Sequence, residues 1–140
     1  MFANVRMRVF AYPTEDEVRV KSLLERLAPG AAASVSKADS AHGVVIKVLE
    51  VRLEKKRAVE TFFRGLGPEI LGSLMASVPQ RIDGSGHLFF RLDKQELVLG
   101  RLRLAVGGDT VAIECSVHGP RARAEETMRG ALASMLDQGG

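Results

Sequence analysis

Arg91-Leu-Asp-Lys-Gln-Glu-Leu-Val-Leu-Gly100 is the stretch whose reading decides the fold. It carries a strand, Leu88 to Asp93, into a charged turn, and another strand is expected from Leu99 to Val106. Gly107-Gly-Asp109 then reads as a hairpin turn into Thr110 to Val117, where Val111, Ile113, Cys115 and Val117 alternate onto one face. Connections this short leave no room for crossover helices, so these strands must run antiparallel. Elsewhere helices and strands do not alternate one for one, which makes the class α+β.

Upstream, Val5, Met7, Val9 and Ala11 alternate with Arg6, Arg8, Phe10 and Tyr12, a period-two strand ended by Pro13. Thr14 precedes Glu17 at the capping-box spacing, and Val18, Leu23, Leu24 and Leu27 form a helical stripe that Pro29-Gly30 stops. Residues 31–43 are small and polar and read as a mobile loop. Val44 to Leu53 is apolar on both faces, as in an interior strand. A helix follows from Lys55 to Leu66; Gly67-Pro68 break and restart it, with Pro68 suited to a first helical position, up to Val78. Asp83-Gly-Ser-Gly86 is a turn, and Gly119-Pro120 separate the sheet from a last helix striped by Met128, Leu132 and Met135. The expectation is a single domain over residues 1–140: a largely antiparallel five-stranded sheet with about four helices packed on one face.

With 46% hydrophobic and 26% charged residues, the chain falls in the globular class and away from disordered compositions. No apolar run approaches the ~20 residues a membrane helix needs. The lone Cys115 excludes an intramolecular disulfide, and a reducing, cytoplasmic location is expected. The net charge of +3 is too small to diagnose a nucleic-acid partner, so its distribution matters more. Glu15-Asp-Glu17 and Glu125-Glu126 stand at expected helix starts, where the helix dipole favours negative charge. The basic clusters have no such explanation. They are Arg6 with Arg8, Arg52 with Lys55, Lys56 and Arg57, Arg91 with Lys94, Arg101 with Arg103, and Arg121 with Arg123.

If the apolar strand faces meet the helices, the opposite face collects Arg6, Arg8, Phe10, Tyr12, Phe89, Arg91, Arg101 and Arg103. Arginines interleaved with aromatics on an open sheet suit single-stranded RNA, because rings stack bases and guanidiniums hold phosphate. The same pattern also fits rings that close the core's edge and arginines that are simply solvated. Lys55, Lys56 and Arg57 open a helix, where cations oppose the dipole; phosphate contact and plain solvation both fit. Asp93 is placed to pair with Arg91 or to cap the turn, Lys94 to project from its tip, and Gly100 to allow a tight bend.

Signals for catalysis are poor. Cys115 lies on the apolar face of its strand, and His42, His87 and His118 are scattered. Asp83, Asp93 and Asp109 read as turn residues before metal ligands, and no Walker loop, dinucleotide fingerprint, HExxH or GxSxG occurs. The expectation is no enzyme, no cofactor and no metal.

Two strings, Val9-Phe-Ala-Tyr-Pro-Thr-Glu-Asp16 and Ile82-Asp83 through Gly100, with Val44 to Leu53 and Lys55-Lys-Arg57 between them, resemble a family of small archaeal RNA-binding proteins. That family is described as exosome-associated. The resemblance implies a fold similar to the ribosomal protein that carries 5S rRNA. It also implies RNA as partner, in RNA processing or ribosome assembly, beside exosome or ribosomal components. On this implication the basic face binds RNA through Arg6, Arg8, Phe10, Tyr12, Lys55, Lys56, Arg57, Phe89, Arg91, Lys94, Arg101 and Arg103. The alternative is a protein-interaction adaptor or homodimer using the same face. Relatives of this type tend to carry a longer Gly-rich segment, often ending in Gly-Asn-Pro, where this chain has only His42-Gly43.

Overall fold

β1 (Phe2–Ala11) is the middle strand of the sheet, and its alternation explains the position: Val5, Met7, Val9 and Ala11 are buried on one side. The structure, a computed structural model, describes residues 2–39 and 43–139, so His42 lies outside the described residues. With β2 (Ser34–Asp39), β3 (Val45–Leu53), β4 (Leu88–Asp93) and β5 (Thr110–Val117), the order across the sheet is β2-β3-β1-β5-β4. Every pairing is antiparallel. The expected α+β class with a five-stranded antiparallel sheet is what the chain adopts.

One of the five strands differs from expectation in identity. Residues 34–39, read as loop, form the edge strand β2, exposed throughout and paired with β3 from Ser34↔Glu50 to Asp39↔Val45. An edge strand with no buried face carries no alternation signal, so its sequence looks like loop. Conversely, Leu99 to Val106 is not a strand between β4 and β5, which pair directly. Residues 94–98 instead form a short helix, α4 (Lys94–Val98), capped by Asp93, whose carboxylate accepts from the Glu96 N–H at 2.9 Å. Gly100, at φ +81°, turns the chain out of this helix as the tight bend required. The chain then runs back along the outer edge of β4: the Asp93 N–H donates to the Arg103 carbonyl at 2.8 Å, and the Ala105 N–H to Arg91 at 2.9 Å.

α1 (Glu17–Leu27) is capped by Asp16, which accepts from the Val18 N–H at 2.9 Å, so Thr14 is not the cap. α2 (Lys56–Ala76) bends at Gly67, whose φ of +84° and ψ of 163° only glycine adopts readily, and Pro68 restarts the helix as expected. α3 (Val78–Arg81) leads toward β4, and a 3₁₀ turn at Arg121–Arg123 leads into α5 (Ala124–Gly139). α2 and α5 pack on each other, α2 contacts β1 and α5 contacts β5, while α1 contacts β1 and β3. The core between the helices and the sheet contains Leu49, Val51, Phe62, Phe63, Leu74, Phe90, Ile113 and Met128, with Phe2 and Phe63 stacked at 4.2 Å. Among the described residues no helix is long and apolar enough to cross a membrane.

Candidate nucleic-acid interface

The sheet face away from the core is ordered by strand register into rows of side chains. One row runs Phe89–Glu114–Arg6–Arg52 across β4, β5, β1 and β3. The next runs Arg91–Ala112–Arg8–Glu50–Ser34. A third, shorter row is Phe10–Val48–Ser36. Side chains on adjacent strands at matched register are ~4.5–5.5 Å apart at Cβ, so each row is a contiguous strip. Five of the expected contact residues, Arg6, Arg8, Phe10, Phe89 and Arg91, are thereby brought onto one face. Phe10 and Phe89 remain 41% and 42% exposed, so their rings are open rather than closing the core.

The face is less uniformly basic than the arginines alone suggested. Glu50 sits among them: Arg6 Nε donates to its Oε1, Arg52 Nε to its Oε2 at 3.4 Å, and Arg8 Nε lies 3.8 Å away. Burial works against ionisation of Glu50, but the hydrogen bonds and charges of Arg6 and Arg52 outweigh it and hold its carboxyl below the ordinary range. Glu114 lies beyond, 3.7 Å from Arg6 and 3.8 Å from His87. Both glutamates occupy the polar parity of their strands, a signal available in the sequence but hidden at Glu50 by the apolar Ile46 and Val48 that share its side.

A groove of about 710 Å³ runs along the β4–β5–β1 part of this face. Its floor includes Arg6, Arg8, Phe89, Arg91 and Glu114, and one wall comes from Arg81, at the end of α3, to Asp83. The other wall is Ala105 and Val106, from the segment outside β4. A smaller groove of about 190 Å³, lined by Asn4, Arg52 and His87, meets it at Arg6 and Glu114. At the wall, Asp83 accepts from the backbone N–H groups of His87 at 2.8 Å and Ser85 at 2.9 Å. The first of these bonds contributes most to holding its carboxyl below the ordinary range. Arg81 was not foreseen here, because nothing in its own helix indicates that it borders the sheet.

The placements of Lys94, Tyr12 and Arg101 need correction. Lys94 does not project from a turn tip; it is fully buried. Its Nζ donates to the Phe10 carbonyl at 2.9 Å and to Glu15 Oε1 at 2.7 Å, lies 3.2 Å from Asp109 Oδ2, and sits 5.3 Å from the centre of the Tyr12 ring. Tyr12 is therefore partly engaged by this ammonium, a cation–π contact that occupies ring surface otherwise open to a base. Arg101 leaves the face, paired with Glu96 at 2.7 Å beside α4. Of the two roles open to Asp93 it takes the cap, of α4, and makes no pair with Arg91. Arg103 keeps its side: Leu104 opposes Leu92 on the core side, which turns Arg103 toward the side of Arg91. Lys55, Lys56 and Arg57 are exposed at the start of α2, outside the grooves, and Lys55 makes no side-chain cap.

The buried lysine joins the two strings that mark this sequence. Tyr12 to Asp16 and Arg91 to Gly100 meet at Lys94, and Glu15 also accepts from the Tyr12 N–H at 3.1 Å. Burial opposes ionisation of Glu15, but the bonds from Lys94 and Tyr12 and the ammonium charge hold its carboxyl below the ordinary range. Cys115 is buried, and burial raises its thiol well above 9.0, so it is no thiolate nucleophile at neutral pH. Among the described residues no group of three or more His, Cys, Asp or Glu side chains is placed to hold a metal ion.

Known proteins carry the same architecture. The chain is 27% identical over 124 residues to the RNA-binding protein PAB1135 of Pyrococcus abyssi, a match covering 81% of this chain and 80% of that protein. It is similar to Mth689, a DUF54 protein from Methanothermobacter thermautotrophicus, with a TM-score of 0.83 and 31% identity, covering 97% of this chain and 98% of that one. A UPF0201 protein from Methanococcus jannaschii shares the fold, with a TM-score of 0.64 at 14% identity over 95% of this chain and 98% of that one. A family model described as RNA binding matches residues 4–117, from within β1 to the end of β5, and the chain belongs to that RNA-binding family.

Proposed function

We propose that the protein binds RNA without catalysis, through the helix-free face of its sheet. The observation that carries this is the pair of adjacent rows, Phe89–Glu114–Arg6–Arg52 and Arg91–Ala112–Arg8–Glu50, set along an open groove. Arg8, Arg91 and Arg103 have no carboxylate within hydrogen-bonding distance among the described residues and supply the phosphate contacts. Phe89 and Phe10 offer ring faces, worth roughly 1–3 kcal/mol for each stacked base. Arg6 and Arg52 are held by Glu50 and act as a second line of charge. Lys55, Lys56 and Arg57 extend the positive surface beyond the sheet's end for a longer RNA. Membership of an RNA-binding family and the likeness to PAB1135 support the class of partner. An accessory place beside RNA-processing or ribosome-assembly machinery, in the manner of the ribosomal protein that carries 5S rRNA, belongs to the same proposal and rests on the resemblance of the motifs.

The test is fluorescence anisotropy on single-stranded and structured RNA across salt concentrations. Replacing both Arg8 and Arg91 by Ala should weaken binding and reduce the log–log salt slope by about 0.7 for each single-strand phosphate no longer neutralised. Unchanged affinity and slope would remove the face from the mechanism. They would favour the adaptor or homodimer reading of the same surface.

A further inference from the structure

A carboxylate on a surface that attracts phosphate needs a reason. Glu50 has one, since two guanidiniums donate to it. Glu114 does not: its closest cations, Arg6 at 3.7 Å and His87 at 3.8 Å, stand beyond hydrogen-bond length. Its oxygens therefore keep acceptor capacity at the point where the two grooves meet. Phe89 is its direct cross-strand partner, a residue 42% exposed whose ring meets His87 in a T-shaped contact at 6.4 Å. A base lying on that ring presents its edge to the Glu114 carboxylate. Arg8 and Arg91, one row along, stand where the attached phosphates would lie.

We propose that Glu114 reads the Watson–Crick edge of a guanine base seated on Phe89, so that this face binds single-stranded RNA with a preference for guanosine. The inference rests on the RNA-binding reading and adds base selectivity to it. The two oxygens of an ionised carboxylate are acceptors side by side and call for two adjacent donors. Guanine alone among the four bases offers them, as N1–H beside the N2 amino group. Adenine and cytosine each set their amino group beside a ring nitrogen acceptor, which repels the second oxygen. Uracil has a single N–H between two carbonyls. Unstacked bases of a single strand expose these edges, whereas a duplex hides them. The groove's volume of about 710 Å³ is within the range of small-ligand sites and accommodates a nucleotide.

A purely structural role for Glu114, steadying Arg6 and His87, would change affinity evenly across sequences. A reading role changes discrimination, which makes the test specific. Anisotropy is measured with single-stranded RNA oligomers that differ only at one central position: guanosine, inosine (which lacks the N2 amino group) or adenosine. The wild type should favour guanosine over adenosine by roughly 5- to 150-fold, the range for a good bidentate contact, with inosine between them. Glu114→Ala should erase the preference while leaving the salt slope in place. Glu114→Gln, with one acceptor and one donor, should reduce it. Binding without base preference, or a preference that Glu114→Ala leaves intact, overturns this inference and leaves RNA binding standing. No binding to any oligomer overturns the RNA reading itself. The wild-type comparison decides the matter alone should a variant fail to fold.

Discussion

Replacing Lys94 by Met keeps most of the aliphatic volume and removes the ammonium from a fully buried position. The Phe10 carbonyl loses a 2.9 Å donor, Glu15 a 2.7 Å donor, and Asp109 a cation at 3.2 Å. Breaking a buried ion pair by removing one partner costs ~3–5 kcal/mol, because the other charge is left without its counterion. The side chains of Glu15 and Asp109 remain 26% and 31% exposed, so water partly compensates. The expected loss is therefore at the lower end, about 3 kcal/mol. Urea unfolding followed by far-UV circular dichroism measures it, and an unchanged m-value would show that the unfolded state is unaffected. A pH arm follows from Glu15, whose carboxyl is held below its ordinary value of 4.5 in the fold. Its contribution is present above that value and disappears as pH falls through the lowered one, so the gap between wild type and variant should narrow in acid. RNA binding supplies a further control: a buried cation releases no counterions from RNA, so the salt slope should not move. A loss below about 1 kcal/mol, or a gap constant from neutral pH into acid, would refute a stabilising role for the buried Lys94 and its partners.

Glu50→Gln should release Arg6 and Arg52, raise RNA affinity and steepen its salt dependence, with stability changed by no more than about 1 kcal/mol. Since Glu50 is held below 4.5, the wild type should approach the variant's affinity only as pH falls through that lowered value; equal affinities at neutral pH would contradict the pairing. Gly67→Ala should cost roughly 1–3 kcal/mol from backbone strain alone. No atom lies within 4 Å of the added Cβ, so thermal unfolding that matches the wild type would remove the conformational argument.

Local patterns in the chain were enough to determine much of this protein. Period-two alternation in Val5 to Ala11 and Val111 to Val117 marked the strands that face the core, because each has one buried side. Gly67-Pro68 announced the break in α2 and Gly100 a tight bend, because those backbone angles restrict the choice of residue. The polar parity of β1 and β4 placed Arg6, Arg8, Phe10, Phe89 and Arg91 on one face before any pairing was known.

Tertiary structure decided what depends on more than one segment. Ser34–Asp39 became a strand only because β3 offers its edge, since no buried side imposes a pattern on it. Asp93 and Gly100 made α4 where a charged turn into a further strand was expected, and the returning chain went to the outside of β4. Lys94 looks like a surface cation in one dimension; it is buried because Phe10 and Glu15, at the end of β1 and just after it, and Asp109, just before β5, converge on it from segments distant in sequence. The mixed charge of the face was equally hidden, since Glu50 and Glu114 meet the arginines only through the register of β3 and β5 with β1. A residue's own neighbours set its backbone preference and its side of a strand. The partners of a charge are set by which strands lie together, and that is a property of the folded chain.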